Sequence, residues 1–249
     1  MDYLLVYLAY IYGLCCLFSR SGGDDLFRLW QENQKEYVTV SLIGDSLFKG
    51  IIFDSGSDII VLFNGKEFIY IPVNHIEYIA PDIPDTELTE PSNFQNILSN
   101  NSHKDLTFDS ILKEAIGVYQ QLCIINKKQL HGTIIEVLED YIVFSSPIYQ
   151  KIYIAKKHLK WLIPYTVNER PYGLSEDECN WQQVEKGSRE YFTEQLRTLS
   201  NKLVVINLGE KYHHIGKLKN ISNEMLELKS VKDNSMYVNI AHIQTIHEV

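Results

Sequence analysis

Hydrophobic and polar positions along this chain repeat one pattern three times. Short runs rich in Ile, Val and Phe, separated by Gly, Ser, Asp or Asn, are typical of β-strands joined by tight turns. The first series ends in the stretch YIPVNHIEYI, which returns as YIAKKHLKWL and as YVNIAHIQTI. Each copy opens with Tyr, carries His at its sixth place and has Ile or Leu at its seventh and tenth. The pattern therefore predicts three copies of one β-rich unit.

Three landmarks keep the same register through the chain. The histidines are separated by 83 and 84 residues, the tyrosines by 83 and 84, and the upstream glycines by 82 and 84. We interpret the repeated glycine as a position where a strand bends so sharply that a side chain would clash. The alternative interpretation is that this glycine ends a loop. The repeat-defining structural positions are Gly50, Tyr70, His75, Ile79, Gly132, Tyr153, His158, Leu162, Gly216, Tyr237, His242 and Ile246.

An amphipathic segment precedes the strands of each unit, at 25–36, 109–121 and 188–200, with apolar residues at helical spacing. Asp109 and Ser188 are the residues that we expect to cap the second and third helices. About five short strands follow each helix. The predicted fold is mainly β, with three tandem small barrels or bent five-stranded sheets, each preceded by a short helix.

Composition places the boundaries between these units. The intervening segments are acidic and rich in turn residues, which is typical of solvated linkers. We predict the first repeat at 25–80, an acidic linker at 81–104, the second repeat at 105–166, an acidic linker at 167–187 and the third repeat at 188–249.

The N-terminal part, residues 1–24, is an apolar segment followed by a flexible linker. Residues 3–18 carry no charge over 16 positions, whereas a membrane-spanning helix needs about 20 apolar residues. A secretory signal would have Lys or Arg before the apolar run, where this chain has Asp2. Three interpretations stay open: a short membrane anchor, a helix docked on a partner, or an upstream start outside the folded unit.

The charge of the chain argues against general nucleic-acid binding. The net charge is -9 and the pI is about 5.4, so the protein as a whole repels a phosphate backbone. The second unit holds the one locally basic stretch that the sequence shows. Cations beside an aromatic ring can bind single-stranded nucleic acid, but we favour lysines that protect an exposed strand edge. This weak basic patch comprises Lys151, Lys156, Lys157, Lys160 and Trp161.

Catalytic chemistry has little support in the sequence. A catalytic histidine needs a nucleophile or a carboxylate within hydrogen-bond reach, and no repeated Ser, Cys or Asp accompanies His75, His158 and His242 except in loosely matching hairpin positions. The four cysteines have no CxxC or Cys/His spacing of a zinc site. We therefore expect a protein that is not an enzyme, with no catalytic residues, no metal site and no cofactor.

The endings resemble the second signature of Sm-like proteins, which runs Ile-Arg-Gly-x-x-Ile-x-x-Ile. The apolar places match, but Pro72-Val73, Ala155-Lys156 and Asn239-Ile240 stand where the Arg-Gly of RNA-binding members lies. The Asp-x-Asn of the first signature is also absent. The resemblance implies an Sm-like fold in each repeat, without the family's RNA site.

A longer phrase is shared between the units: it comprises Val38–Val40, Gly50, Asp58–Leu62 and His75–Ile79 in the first, Gly132, Asp140–Phe144 and His158–Leu162 in the second, and Gly216 and His242–Ile246 in the third. This three-repeat arrangement is similar to the amino-terminal region of the spore coat protein B family of bacilli. A G-G-P-E turn and a long Ser/Lys-rich tail of that family are absent here.

This resemblance implies a structural, non-enzymatic protein of the spore coat, made in the mother-cell cytoplasm. Its expected partners are other coat proteins and further copies of itself, held through exposed strand edges. Cross-linking by tyrosine or lysine stays open. The alternatives are an RNA-binding Sm-like protein and an interaction module anchored to a membrane through residues 3–18.

Overall fold

A computed structural model describes residues 36–84, 98, 106–124, 128–166, 169, 171–175, 187–211, 214–222, 224–231 and 234–249. The apolar segment 3–18, almost all of the predicted first helix at 25–36 and most of both acidic linkers lie outside these residues. Within the described ranges, no helix has the length and apolar character needed to cross a membrane.

Within the described ranges, fifteen strands and two short α-helices make up three units of five strands. The first unit holds β1 Tyr37–Leu42, β2 Ser46–Ser55, β3 Ile59–Phe63, β4 Phe68–Pro72 and β5 Ile76–Pro81. The second holds α1 Phe108–Glu114, β6 Tyr119–Ile124, β7 Lys128–Val137, β8 Tyr141–Ser146, β9 Gln150–Ala155 and β10 Leu159–Pro164. The third holds α2 Phe192–Thr198, β11 Leu203–Ile206, β12 Ile215–Ser222, β13 Met225–Lys229, β14 Ser235–Asn239 and β15 Thr245–Glu248.

The strands form one continuous antiparallel sheet that is not closed. Its order is β14-β13-β12-β11-β15-β9-β8-β7-β6-β10-β4-β3-β2-β1-β5. Every unit thus uses the same internal order, in which its fifth strand pairs with its first strand and its fourth strand lies at the opposite end. The predicted mainly β class is confirmed, whereas the described residues show an open sheet and not the closed barrels that were one of the two predicted forms.

The second strand of every unit bends at the repeated glycine. A Cβ atom on Gly50 would lie 2.3 Å from a backbone carbonyl oxygen of the neighbouring strand, and the corresponding distances are 1.9 Å at Gly132 and 2.5 Å at Gly216. Three residues further on, each of these strands shifts register against the next strand. A bulge increases local twist and bends its strand, so glycine and bulge together curve each unit at the same place.

The helices are shorter than the periodicity predicts. Both contain seven residues, and the first ends before the strand that begins at Tyr119. The predicted capping by Asp109 is wrong, because Thr107 accepts from the Ser110 amide in a capping box and Asp109 lies inside the first turn. Tyr191 is the N-cap residue of α2 and makes no side-chain cap, so Ser188 does not have the predicted role either.

Among the described residues, three hydrophobic clusters lie on the two faces of the sheet, and each contains residues of at least two units. Alternate residues of one strand point to opposite faces, so Ile60 packs in the core of the first unit while Ile59 packs against the second unit. In the same way, Ile142 packs in the core of the second unit and Tyr141 packs against the third. The units therefore do not have separate hydrophobic cores, because neighbouring units share them.

Candidate functional site

Four of the repeat-defining positions meet where one unit joins the next. The fifth strand of the second unit pairs with the fourth strand of the first, with Leu162 opposite Tyr70. The fifth strand of the third unit pairs with the fourth strand of the second, with Ile246 opposite Tyr153. We call these the first and second junctions. Both are antiparallel, and both place the repeated Tyr of one unit against the repeated Ile or Leu of the next.

Backbone hydrogen bonds close the second junction more completely than the first. The Ala155 amide donates to the Gln244 carbonyl oxygen at 3.0 Å. Pro72 occupies the equivalent place in the first unit and has no N–H to donate. The first junction accordingly shows a single pair of facing residues, whereas the second shows two.

Burial of the repeated residues follows these junctions. Tyr70 is 0% exposed and Tyr153 is 8% exposed, whereas Tyr237, which lies on β14 at the end of the sheet, is 64% exposed. At the other end of the sheet Ile79 is half-buried, while its counterparts Leu162 and Ile246 are buried. Because the residue types match, the difference comes from the presence or absence of a neighbouring unit.

The repeated histidines lie next to the fifth strands, and two of them, His75 and His158, lie at the junctions. Each ends a short 3-10 turn just before the fifth strand of its unit, at Val73–His75, Lys156–His158 and Ile240–His242. The His158 Nε2–H donates to the Ala241 carbonyl oxygen of the third unit at 3.1 Å. His75 is buried next to the backbone of Lys157 and Leu159 in the second unit.

These environments favour neutral imidazoles. Burial lowers the pKa of His158 to about 4, opposed by its hydrogen bond to Ala241 and assisted by the nearby charges of Lys157, His75 and His242. Burial, followed by the charge of Lys160, lowers the pKa of His75 as well. A neutral histidine that bonds a backbone carbonyl acts here as a structural contact between units.

A third contact at each junction involves an aspartate that the sequence interpretation did not single out. The Asp58 carboxylate accepts from the backbone N–H of Phe108, at the start of α1, at 2.8 Å. The Asp140 carboxylate accepts from the backbone N–H of Phe192, at the start of α2, at 2.7 Å. Each aspartate thus caps the helix of the following unit. The signal was present in the sequence, because both residues immediately precede the third strand of their repeats.

The weak basic patch does not form a surface. Lys160 and Trp161 are buried, Lys156 is half-buried and hydrogen-bonds Asp109 and the Glu139 carbonyl oxygen, and Lys157 is exposed. The half-buried Lys151 lies 5.6 Å from the ring centroid of Tyr153.

The interpretation that these lysines protect an open strand edge is wrong for Lys160. Its strand β10 pairs on both sides, with β6 and β4. The Lys160 ammonium instead donates to the Ile43 carbonyl oxygen of the first unit. It therefore adds a fourth contact across the first junction, in which a buried charge is satisfied by a backbone acceptor.

Cavities near the junctions are lined by ion pairs and apolar groups. A cavity of about 440 Å³ lies beside α1, and its lining includes Asp58, Asp109, Lys113, Glu139 and Lys156. The Lys113 ammonium lies 2.7 Å from the Asp109 carboxylate. Across the described ranges, no three His, Cys, Asp or Glu side chains gather where they could hold a metal ion.

Taken together, these contacts define a class of protein: a tandem-repeat β-protein whose units join edge to edge through equivalent strands. The family model described as the YwrJ third domain matches residues 191–246, which contain α2, the strands β11 to β14 and the first two residues of β15.

The chain is also similar to the uncharacterized protein YwrJ of Bacillus subtilis (strain 168). The two are 29% identical over 212 residues, which cover 84% of this chain and 94% of the relative. The similarity therefore extends well beyond the third unit.

Proposed function

We propose that this protein is a non-enzymatic structural scaffold of the bacterial spore coat, built from three Sm-like units and assembling through exposed strand edges. The observation that carries the proposal is the pairing of equivalent strands at two successive junctions. A chain that joins its own units through strand edges has edges suited to joining other chains.

The Sm-like description of the units is supported by their shared construction. A short helix precedes five strands in the second and third units, the second strand bends at a glycine and a bulge, and a 3-10 turn precedes the fifth strand. The fifth strand leaves its own fourth strand and pairs with the preceding unit, so an isolated unit would be an incomplete barrel. Assembly with a neighbouring unit pairs the strand edge that a single unit leaves unpaired.

The covalent connection between the three units holds such a scaffold together. Each edge contact is modest, since one ladder hydrogen bond contributes about 1 kcal/mol net. Covalent connection of three units keeps the internal edges at a high effective concentration, so that weak contacts persist. Buried residues on both faces of β3 and β8 add apolar area at the same places.

The coat setting is supported by two resemblances. The repeated phrase is similar to that of spore coat protein B of bacilli, and the relative found by comparison also comes from a bacillus. The partners that we propose are other coat proteins together with further copies of this chain. A structural role also accords with histidines that serve as contacts between units.

The proposal is tested by locating an epitope-tagged chain in a sporulating bacillus. We expect the tag in the coat extract of purified spores and no signal in vegetative cells. A tag that stays in the soluble mother-cell fraction would refute the coat assignment. Filter binding of the purified protein to single-stranded RNA, at low and at physiological salt, addresses the alternative, and salt-sensitive binding there would favour an RNA-binding protein instead.

A further inference from the structure

The two ends of the sheet are complementary to each other. One end is β14, the fourth strand of the third unit, and the other is β5, the fifth strand of the first unit. At both internal junctions a fourth strand pairs with a fifth strand. Within the part of the chain that the structure describes, nothing pairs with the outer edge of β14 or of β5.

We propose that a second copy of this chain occupies these edges, with β14 of one copy pairing with β5 of the next in the register of the internal junctions. This inference rests on the proposed scaffold function and names its partner. The register places Tyr237 opposite Ile79 of the second copy, as Tyr70 lies opposite Leu162 and Tyr153 opposite Ile246. Such a contact is head to tail.

The apolar residues at the two ends match those that the internal junctions bury. Directly after the 3-10 turn of each unit, Leu159 is 1% exposed and Ile243 is 0% exposed, whereas their counterpart Ile76 is half-buried. Tyr78, beside it on β5, is 51% exposed. Tyr237, at the opposite end of the sheet, is 64% exposed. Both edges therefore expose apolar side-chain surface that a neighbouring unit would cover.

The hydrogen-bonding groups recur at the free end as well. Asn239 occupies the place of Ala155, whose amide bonds the fifth strand of the next unit. His242 is exposed and occupies the place of His158, whose ring bonds the 3-10 turn of the next unit. In the head-to-tail pair the His242 ring would reach the 3-10 turn of the second copy's first unit, at the Asn74 carbonyl oxygen.

The outer face of the third unit sets the strength of this contact. Ile59 and Val61 of the first unit are apolar and buried in the cluster that it shares with the second, but Met225 and Glu227 stand at the equivalent places of the third unit. The Glu227 carboxylate accepts from the Ser235 hydroxyl at 2.7 Å. A more polar face buries less apolar area, so the contact between chains is weaker than the internal junctions and depends on concentration.

The test is sedimentation velocity of the purified full-length chain from about 1 µM to about 500 µM, a range that covers weak specific association. We expect wild type to shift from monomer to dimer or to longer open assemblies, according to whether the rotation between copies closes. Tyr237→Lys places a charge in the paired edge and should weaken the association at least about tenfold. Ile148→Lys is the control, because Ile148 is 58% exposed in a hairpin turn away from both edges.

Two results would overturn the inference: a monomer over the whole concentration range, or equal association of the Tyr237→Lys and wild-type chains. Matching far-ultraviolet spectra for the two lysine variants show that any difference is not unfolding. Failure here is distinct from failure of the proposed function, because a monomeric chain that is recovered with the spore coat would retain the scaffold role and have a different partner.

Discussion

Replacement of the repeated glycines by alanine tests the bent strands of all three units. An added Cβ would lie 1.9 Å from a carbonyl oxygen at Gly132, 2.3 Å at Gly50 and 2.5 Å at Gly216, where ordinary contact is about 3.4 Å. The strand pair must open by roughly 1 Å or more, which takes a ladder hydrogen bond of about 2.9 Å out of bonding range. Lost hydrogen bonds and overpacking together amount to about 3 kcal/mol or more for each variant.

The measurement is thermal unfolding followed by circular dichroism. For a chain of this size, 3 kcal/mol corresponds to a fall in Tm of about 6 to 12 °C. We expect the largest fall for Gly132→Ala and the smallest for Gly216→Ala. Gly173→Ala is the control, because a Cβ there meets nothing within 4 Å and its φ of +66° carries a backbone cost of only about 1 kcal/mol. If the three repeat variants match the control, the close approach of strand to glycine is refuted.

Three further predictions concern the junctions. Asp140→Ala should lower the free energy of unfolding by about 1 kcal/mol because the Phe192 amide loses its acceptor. Asp140→Asn keeps an oxygen at this place, so its thermal unfolding should show most of that stability restored. The free energy of unfolding, measured in urea between pH 7 and pH 4, should decrease as the pH is lowered below about 6.5. The reason is that His158 and His75 bind protons at a higher pH in the unfolded state than in the folded state. For His158, with its pKa lowered to about 4, the loss is up to about 3 kcal/mol, and a His158→Gln variant with an unchanged slope would contradict it. Peptide mapping after iodoacetamide should find Cys123 unmodified in the native protein at pH 8 and modified in urea, since burial raises the pKa of its thiol to about 11.

The repeat period identified the residues that matter at the junctions, because duplicated units keep equivalent side chains at equivalent places. Tyr70 and Leu162 were chosen for their recurrence alone, and they face each other across the first junction. The sequence could not show that a fourth strand pairs with a fifth strand of another unit. Alternation within a strand indicates which side chains are buried, but it does not indicate which chain segment lies beside that strand.

Of the two predicted forms, small barrels and bent five-stranded sheets, the closed barrel differs from the open sheet for the same reason. The number and length of the strands are compatible with closure inside each unit. Closure would require the fifth strand to return to its own fourth strand, but β10 and β15 instead pair with the unit before them. The choice between the two pairings depends on tertiary packing, which local patterns do not encode.

The side chains that sequence reasoning misjudged are polar groups inside the junctions. Lys160 follows a basic stretch and was assigned to a free edge, yet pairing on both sides of its strand buries it. Asp58 and Asp140 were noted as parts of a repeated phrase, and their capping of the following helix became evident from the hydrogen bonds. A recurring Asp just before a strand is compatible with a turn, so its long-range partner could not be deduced.

The most direct test of edge-to-edge joining is hydrogen exchange at two equivalent amides, Ala155 and Asn239, in the Tyr237→Lys variant kept dilute. The Ala155 amide donates to Gln244 across the second junction, whereas Asn239 lies on the end strand β14. We predict that the Ala155 amide exchanges at least about 100-fold more slowly than the Asn239 amide. Equal and rapid exchange at both amides would contradict it, because the third unit would then not be joined to the second through paired strands.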